Sequence, residues 1–77
     1  MKIWERNGYT VVEKNFDHDL HEFEIVKDDE VIYTITPPNI IEMNAIIEAL
    51  DEGHDVDGWE DGNGNTIVIN PNPYREI

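Results

Sequence analysis

Apolar residues along the chain gather into short runs rich in β-branched and aromatic side chains, YTVV, FEIV, VIYTI and TIVI, separated by stretches dense in Gly, Asp, Asn and Pro. Compact runs of this kind predict the strands of a sheet and argue against a disordered acidic chain, in which low hydrophobicity accompanies high net charge. Lys2-Ile3-Trp4-Glu5-Arg6, then Asn7-Gly8, then Tyr9-Thr10-Val11-Val12-Glu13 reads as a hairpin, because Asn-Gly supplies the positive φ values of a two-residue type I′ turn. Asn15-Phe16-Asp17-His18-Asp19 reads as a turn-rich connection. His21-Glu22-Phe23-Glu24-Ile25 then alternates polar and apolar in the manner of a half-buried strand. Asp28-Asp29 makes a tight turn into Val31-Ile32-Tyr33-Thr34-Ile35. A side-chain period of two sets Phe23 and Ile25 on one face, with partners among Val31, Tyr33 and Ile35.

Thr36-Pro37-Pro38-Asn39 ends this strand, since consecutive prolines remove ladder donors and restrict the residue before them. Asn39 followed by Glu42 resembles a capping box, and a helix is predicted over residues 40–52. Met43, Ile46, Ile47 and Leu50 form its apolar stripe, with Ile40 one turn earlier, and Gly53 sits where a left-handed residue closes a helix. Residues 53–65 are rich in Gly, Asp and Asn around Trp59, and a loop of that length in a small domain is expected to be flexible. Thr66-Ile67-Val68-Ile69 is expected as a last strand, stopped by Asn70-Pro71-Asn72-Pro73, with residues 71–77 a frayed tail. The predicted architecture is one α+β domain over residues 1–77, in the order β-β-β-β-α-β, with an antiparallel sheet of about five strands and one long helix packed on one face.

The length of 77 residues suits a single core, and the absence of Cys leaves apolar packing or self-association as the source of stability. The same absence suits a reducing compartment. MKIWERNG carries charges at positions 2, 5 and 6 and no apolar run resembling a signal peptide, and no stretch approaches the roughly 20 apolar residues of a membrane span. A soluble cytoplasmic protein is expected.

Charge narrows the function classes. Eighteen acids against five bases give a formal net charge of −13. Such a field repels phosphate and anionic lipid, which argues against direct binding of nucleic acid or a bilayer, and its complement is a cationic protein surface. Solubility alone is the competing explanation of the surplus. Asp55, Asp57, Asp61, Asn63 and Asn65 offer hard oxygen ligands. The calcium loop pattern nonetheless fails from Asp61, where Thr66 replaces the required Gly and Asn72 the bidentate Glu. His18, His21 and His54 read as solvated surface residues, and no nucleotide-binding or nucleophile motif is present. No catalytic residue, metal or cofactor is expected, and the chain reads as a non-enzyme.

The position of the acid says more than its amount. A helix C-terminus favours Lys or Arg, yet the last predicted turns carry Glu48, Asp51 and Glu52, with Glu48 and Glu52 a like-charged pair four residues apart. Asp55, Asp57, Glu60 and Asp61 follow directly. A fold that keeps locally unfavourable charge is a candidate for keeping it for a partner. The expected acidic face therefore comprises Glu48, Asp51, Glu52, Asp55, Asp57, Glu60 and Asp61, extended by Asp28, Asp29 and Glu30. Trp59 either folds back on the core or projects as an anchor ringed by carboxylates. Crowded carboxylates are expected to repel one another, to raise some of their pKa values, and to make the domain more stable near pH 5 than near pH 8 at low salt.

The tract Gly58-Trp59-Glu60-Asp61-Gly62-Asn63-Gly64-Asn65-Thr66 resembles segments of small acidic uncharacterised proteins of Gram-positive bacteria and their phages. Size and charge are similar to those of phage-encoded inhibitors that mimic DNA. The resemblance implies a phage or mobile-element origin and a role in blocking nucleic-acid-binding host machinery, and it assigns no site residue. Two functions follow: a monomeric binding module whose acidic face occupies the basic groove of a DNA- or RNA-binding protein, or an assembly subunit that associates through a sheet edge.

Overall fold

The structure is a computed structural model and describes residues 1–6 and 8–69. Strands β1 (Ile3–Arg6), β2 (Tyr9–Asp17), β3 (Leu20–Lys27) and β4 (Glu30–Ile35) form one antiparallel sheet in chain order, and helix α1 (Ile40–Asp51) follows, giving an α+β fold. Each strand turns directly into the next. Asp28 and Asp29 both adopt positive φ, 55° and 66°, as a type I′ turn requires of its two central residues. At the first turn Arg6 faces Tyr9 and Gly8 has φ 95°, while Asn7 lies outside the described residues.

Register explains the core. Trp4 pairs with Val11, Val11 with Ile25 and Ile25 with Tyr33, so these four lie in one row on the same face. The adjacent row runs Glu13, Phe23, Ile35. Met43 and Leu50 of α1 close over this face, together with Val56 and Ile67 from the chain beyond the helix. Trp4 and Phe23 meet with ring centroids 6.0 Å apart and planes tilted by 47°. The opposite face stays open: Ile3 and Val31 are exposed, and Lys14 reaches diagonally to Glu24 at 3.2 Å.

Among the described residues four strands, not five, make the sheet. Residues 66–69 stay out of it, and the isolated bridge from Glu60 to Thr66 is the pairing made there. The reason is local. Ile67 donates to the Trp59 carbonyl at 2.6 Å and accepts from Gly58 at 2.8 Å, so its backbone bonds are taken by its own loop while its side chain is fully buried. The β4 edge that a fifth strand would need is also engaged, since Gly62 donates to the Thr34 carbonyl at 2.8 Å.

Residues 15–17 belong to β2 rather than to a connection. Asn15 pairs with His21, and a bulge between Asn15 and Asp17 carries the ladder on to Leu20, leaving His18 and Asp19 as the turn. Phe23 and Ile25 face Ile35 and Tyr33 as their alternation requires. Val31 does not join them: the register shifts opposite Ile25 and Val26, Ile32 becomes the extra residue, and Val31 pairs with Val26 on the open face.

Asn39 caps α1 through its side-chain oxygen, which accepts from the Glu42 amide at 2.8 Å. At the other end Gly53, with φ 95°, donates to Leu50 and His54 donates to Ala49, the paired bonds of a Schellman motif. The expected frayed tail, residues 71–77, lies outside the described residues. Among the described residues no helix is long and apolar enough to cross a membrane.

Candidate interaction surface

The acidic helix end is held by β1. No basic residue lies in the last turn of α1, and on sequence spacing alone the charge there is mismatched with the helix dipole. The alternate positions Lys2, Trp4 and Arg6 supply the missing donors from across the fold. Arg6 donates through Nη2 to the Leu50 carbonyl at 2.6 Å and through Nε to the His54 carbonyl at 3.1 Å. Asp51 accepts from Lys2 Nζ at 2.8 Å and from the Trp4 indole Nε1 at 2.9 Å. These bonds from Lys2 and then Trp4 hold the Asp51 carboxyl below its ordinary pKa.

The chain beyond the helix is built on its own aspartates. Tyr9 donates its hydroxyl to Asp55 at 2.9 Å and accepts from the Val56 amide at 3.1 Å. Burial, more than the neighbouring carboxylate, pushes the Tyr9 phenol up. Asp57 accepts from the Ile69 amide at 2.8 Å. Asp61 accepts from the amides of Asn63 and Asn65 at 2.9 and 2.8 Å, and those bonds, led by Asn65, hold its carboxyl down. Four of the expected partner-facing carboxylates, Asp51, Asp55, Asp57 and Asp61, thus serve as acceptors within the fold.

The remaining members separate from these. Glu48, Glu52 and Glu60 are exposed, and among the described residues Glu52 alone of the three has an ionic neighbour, His54 at 3.5 Å. Trp59 is partly buried against the core. Asp28 and Asp29 lie at the turn end of the sheet beside Arg6 and Lys27, around a shallow groove that also reaches Gly8.

Trp59 and Glu60 also form one side of an apolar groove of about 330 Å³. Its other wall is the α1 stripe Glu42, Ala45, Ile46 and Ala49, and Ile35 lies at its floor. Among the described residues the charged ones that line it, Glu42 and Glu60, are both acidic. Asp51 is remote from it, because Asp51 is tied to β1 and Ile35 belongs to β4, at opposite edges of the sheet. The structure therefore gathers Trp59 and Glu60 with Glu42, and does not gather the whole acidic set. Sequence reasoning used Glu42 only as a capping residue and passed over Ala45 and Ala49. Their spacing of three and seven from Glu42, beside the apolar stripe, is the signal that marks a second helix flank.

A buried charge was also missed. Glu13, 6% exposed, accepts from the Lys2 amide at 3.0 Å and lies 2.6 Å from His21 Nδ1. His21 is therefore no solvated surface histidine, unlike the exposed His18 and His54. Pairing with Asn15 places His21 on the inner face, diagonal to Glu13. Burial disfavours the Glu13 carboxylate, but the His21 and Lys2 bonds outweigh it and its pKa lies below the ordinary value. The three carboxylates with displaced pKa, Glu13, Asp51 and Asp61, all move down, against the rise expected from crowding.

Among the described residues no group of three or more His, Asp or Glu side chains is arranged to hold a metal ion. Comparison of the chain with protein-family models, with curated proteins and with solved structures gives no match.

Proposed function

We propose that this chain is a non-enzymatic, acidic protein-binding module that occupies a basic groove on a DNA- or RNA-binding protein. The observation that carries the reading is a division of labour among the carboxylates. Asp51, Asp55, Asp57 and Asp61, the first three of them exposed, each accept a hydrogen bond within the fold, whereas the exposed carboxylates of Glu42 and Glu48 on α1, Glu52 at its C-cap and Glu60 beside Trp59 accept none among the described residues. With a net charge of −13, this surface attracts cationic protein and repels nucleic acid. Both sheet edges carry internal obstacles to pairing: Gly62 occupies the Thr34 carbonyl of β4, and Arg6 donates to the Glu5 carbonyl of β1 at 3.3 Å. That favours a module binding through its surface over a subunit assembling through an edge.

The test is capture of basic proteins on the immobilised chain at low salt, followed by elution with NaCl or with duplex DNA. Release by both is expected, because screening weakens charge pairing and DNA competes for the same groove. Capture that persists in high salt and in excess DNA, or that is unchanged in a Glu48→Gln, Glu52→Gln, Glu60→Gln variant, would sink the proposal.

A further inference from the structure

We infer that the groove between α1 and Trp59 is the anchor point of this surface, and that it receives one large apolar side chain from a basic, amphipathic segment of a partner protein. The inference rests on the binding-module reading above and adds to it a location and a chemistry. Ala45 and Ala49 are small residues one helical turn apart, so the helix wall is set back there, and Trp59 lines the same groove. Ile35 at the floor and Ile46 on the helix wall give the pocket its apolar lining. The space of about 330 Å³ admits a single bulky side chain.

Charge selects the occupant. Glu42 and Glu60 line the two sides of the groove, no Lys or Arg lines it among the described residues, and Glu48 near the end of α1 and Glu52 at its C-cap are exposed. A second copy of this chain would bring its own charge of −13 to the contact and be repelled. A neutral apolar segment would leave the glutamates partly dehydrated and without compensation. A helix or strand bearing Leu, Met or Phe with Lys or Arg on either side satisfies both the pocket and its rim, as in helix-in-groove recognition.

Three synthetic peptides of equal length test this by calorimetry and by amide chemical shifts at low salt. One is amphipathic with Leu and Arg, one has every Leu replaced by Ser, and one has every Arg replaced by Gln. The amphipathic cationic peptide should bind at least about tenfold more tightly than either of the others, with shifts centred on Ala45, Ala49 and the Trp59 indole. The exposed Ala45 tolerates a larger helix-forming residue, so Ala45→Gln should keep the fold while filling the groove and weakening that peptide by about tenfold. If both cationic peptides bind alike and Ala45→Gln changes nothing, the groove is overturned while the acidic-surface reading survives. If the neutral peptide binds as well as the cationic one, the charge selection is wrong. Failure of both cationic peptides to bind removes the binding-module reading along with the groove.

Discussion

Arg6 on β1 donates to the carbonyl of Leu50, the buried residue next to the end of α1, at 2.6 Å. The same guanidinium reaches the His54 carbonyl, so one side chain satisfies two acceptors where the helix stops and the loop begins. A planar fork can do this; an ammonium acts as a single point charge. Arg6→Met should lower stability by about 1.5–3 kcal/mol, the range for bonds to a charged donor, and Arg6→Lys should recover only part of it. Urea melts of the three proteins at pH 7 check this, and equal stability of the Lys and Arg forms would show that charge alone suffices.

Gly62 is required by close approach to β4. A Cβ built there meets the Thr36 hydroxyl oxygen, on a stiff β-branched side chain, while the Gly62 amide is bonded to the Thr34 carbonyl. Gly62→Ala should cost about 1–3 kcal/mol through overpacking. Thr36→Ala removes the obstructing oxygen, so the double variant should be less destabilised than the sum of the two single changes. Additive single-variant losses in a double-mutant cycle would place the strain elsewhere.

The strands that alternate cleanly were legible in the chain because period two leaves one answer for which face is buried: Phe23 and Ile25 against Tyr33 and Ile35. Asn39 and Gly53 gave the helix its ends for equally local reasons. The bulge at Ile32 was not legible, since one extra residue moves Val31 to the open face without changing composition. Nor was the fate of Ile67, whose apolar run looks like a strand until its amide and carbonyl are found bonded to Trp59 and Gly58. The internal bonds of the candidate acidic residues were hidden for the same reason on a larger scale. Whether Asp51 faces a partner or Lys2 depends on contacts across 49 residues, which no local pattern encodes.

Asp61 offers a test of scaffold against surface charge. Its Oδ1 accepts both the Asn63 and Asn65 amides, and Asn retains that oxygen without the charge. Asp61→Asn should leave hydrogen exchange at those two amides nearly unchanged, whereas Asp61→Ala should accelerate both. Equal acceleration in the two variants would mean that charge, not the acceptor, orders the turn.

The pH dependence follows from the shifted groups. Glu13, Asp51 and Asp61 have folded pKa values below their unfolded ones, so each contributes stability that is fully present above the unfolded carboxyl range of about 4 and is lost as pH falls through the folded value. Tyr9 is shifted up, so its contribution is present below about pH 10 and is lost as pH rises through its folded value. Stability measured by urea melts should therefore hold a plateau between an acid limb below about pH 4 and an alkaline limb above about pH 10. Glu13→Gln should lower the plateau, because the part-buried His21 contact loses its charged acceptor, and should flatten the acid limb. Tyr9→Phe should remove the alkaline limb and leave the acid limb intact. An acid limb of full steepness in Glu13→Gln would assign the loss to Asp51 and Asp61, and a rise in stability from pH 8 to pH 5 would show that repulsion among the exposed glutamates outweighs these internal bonds.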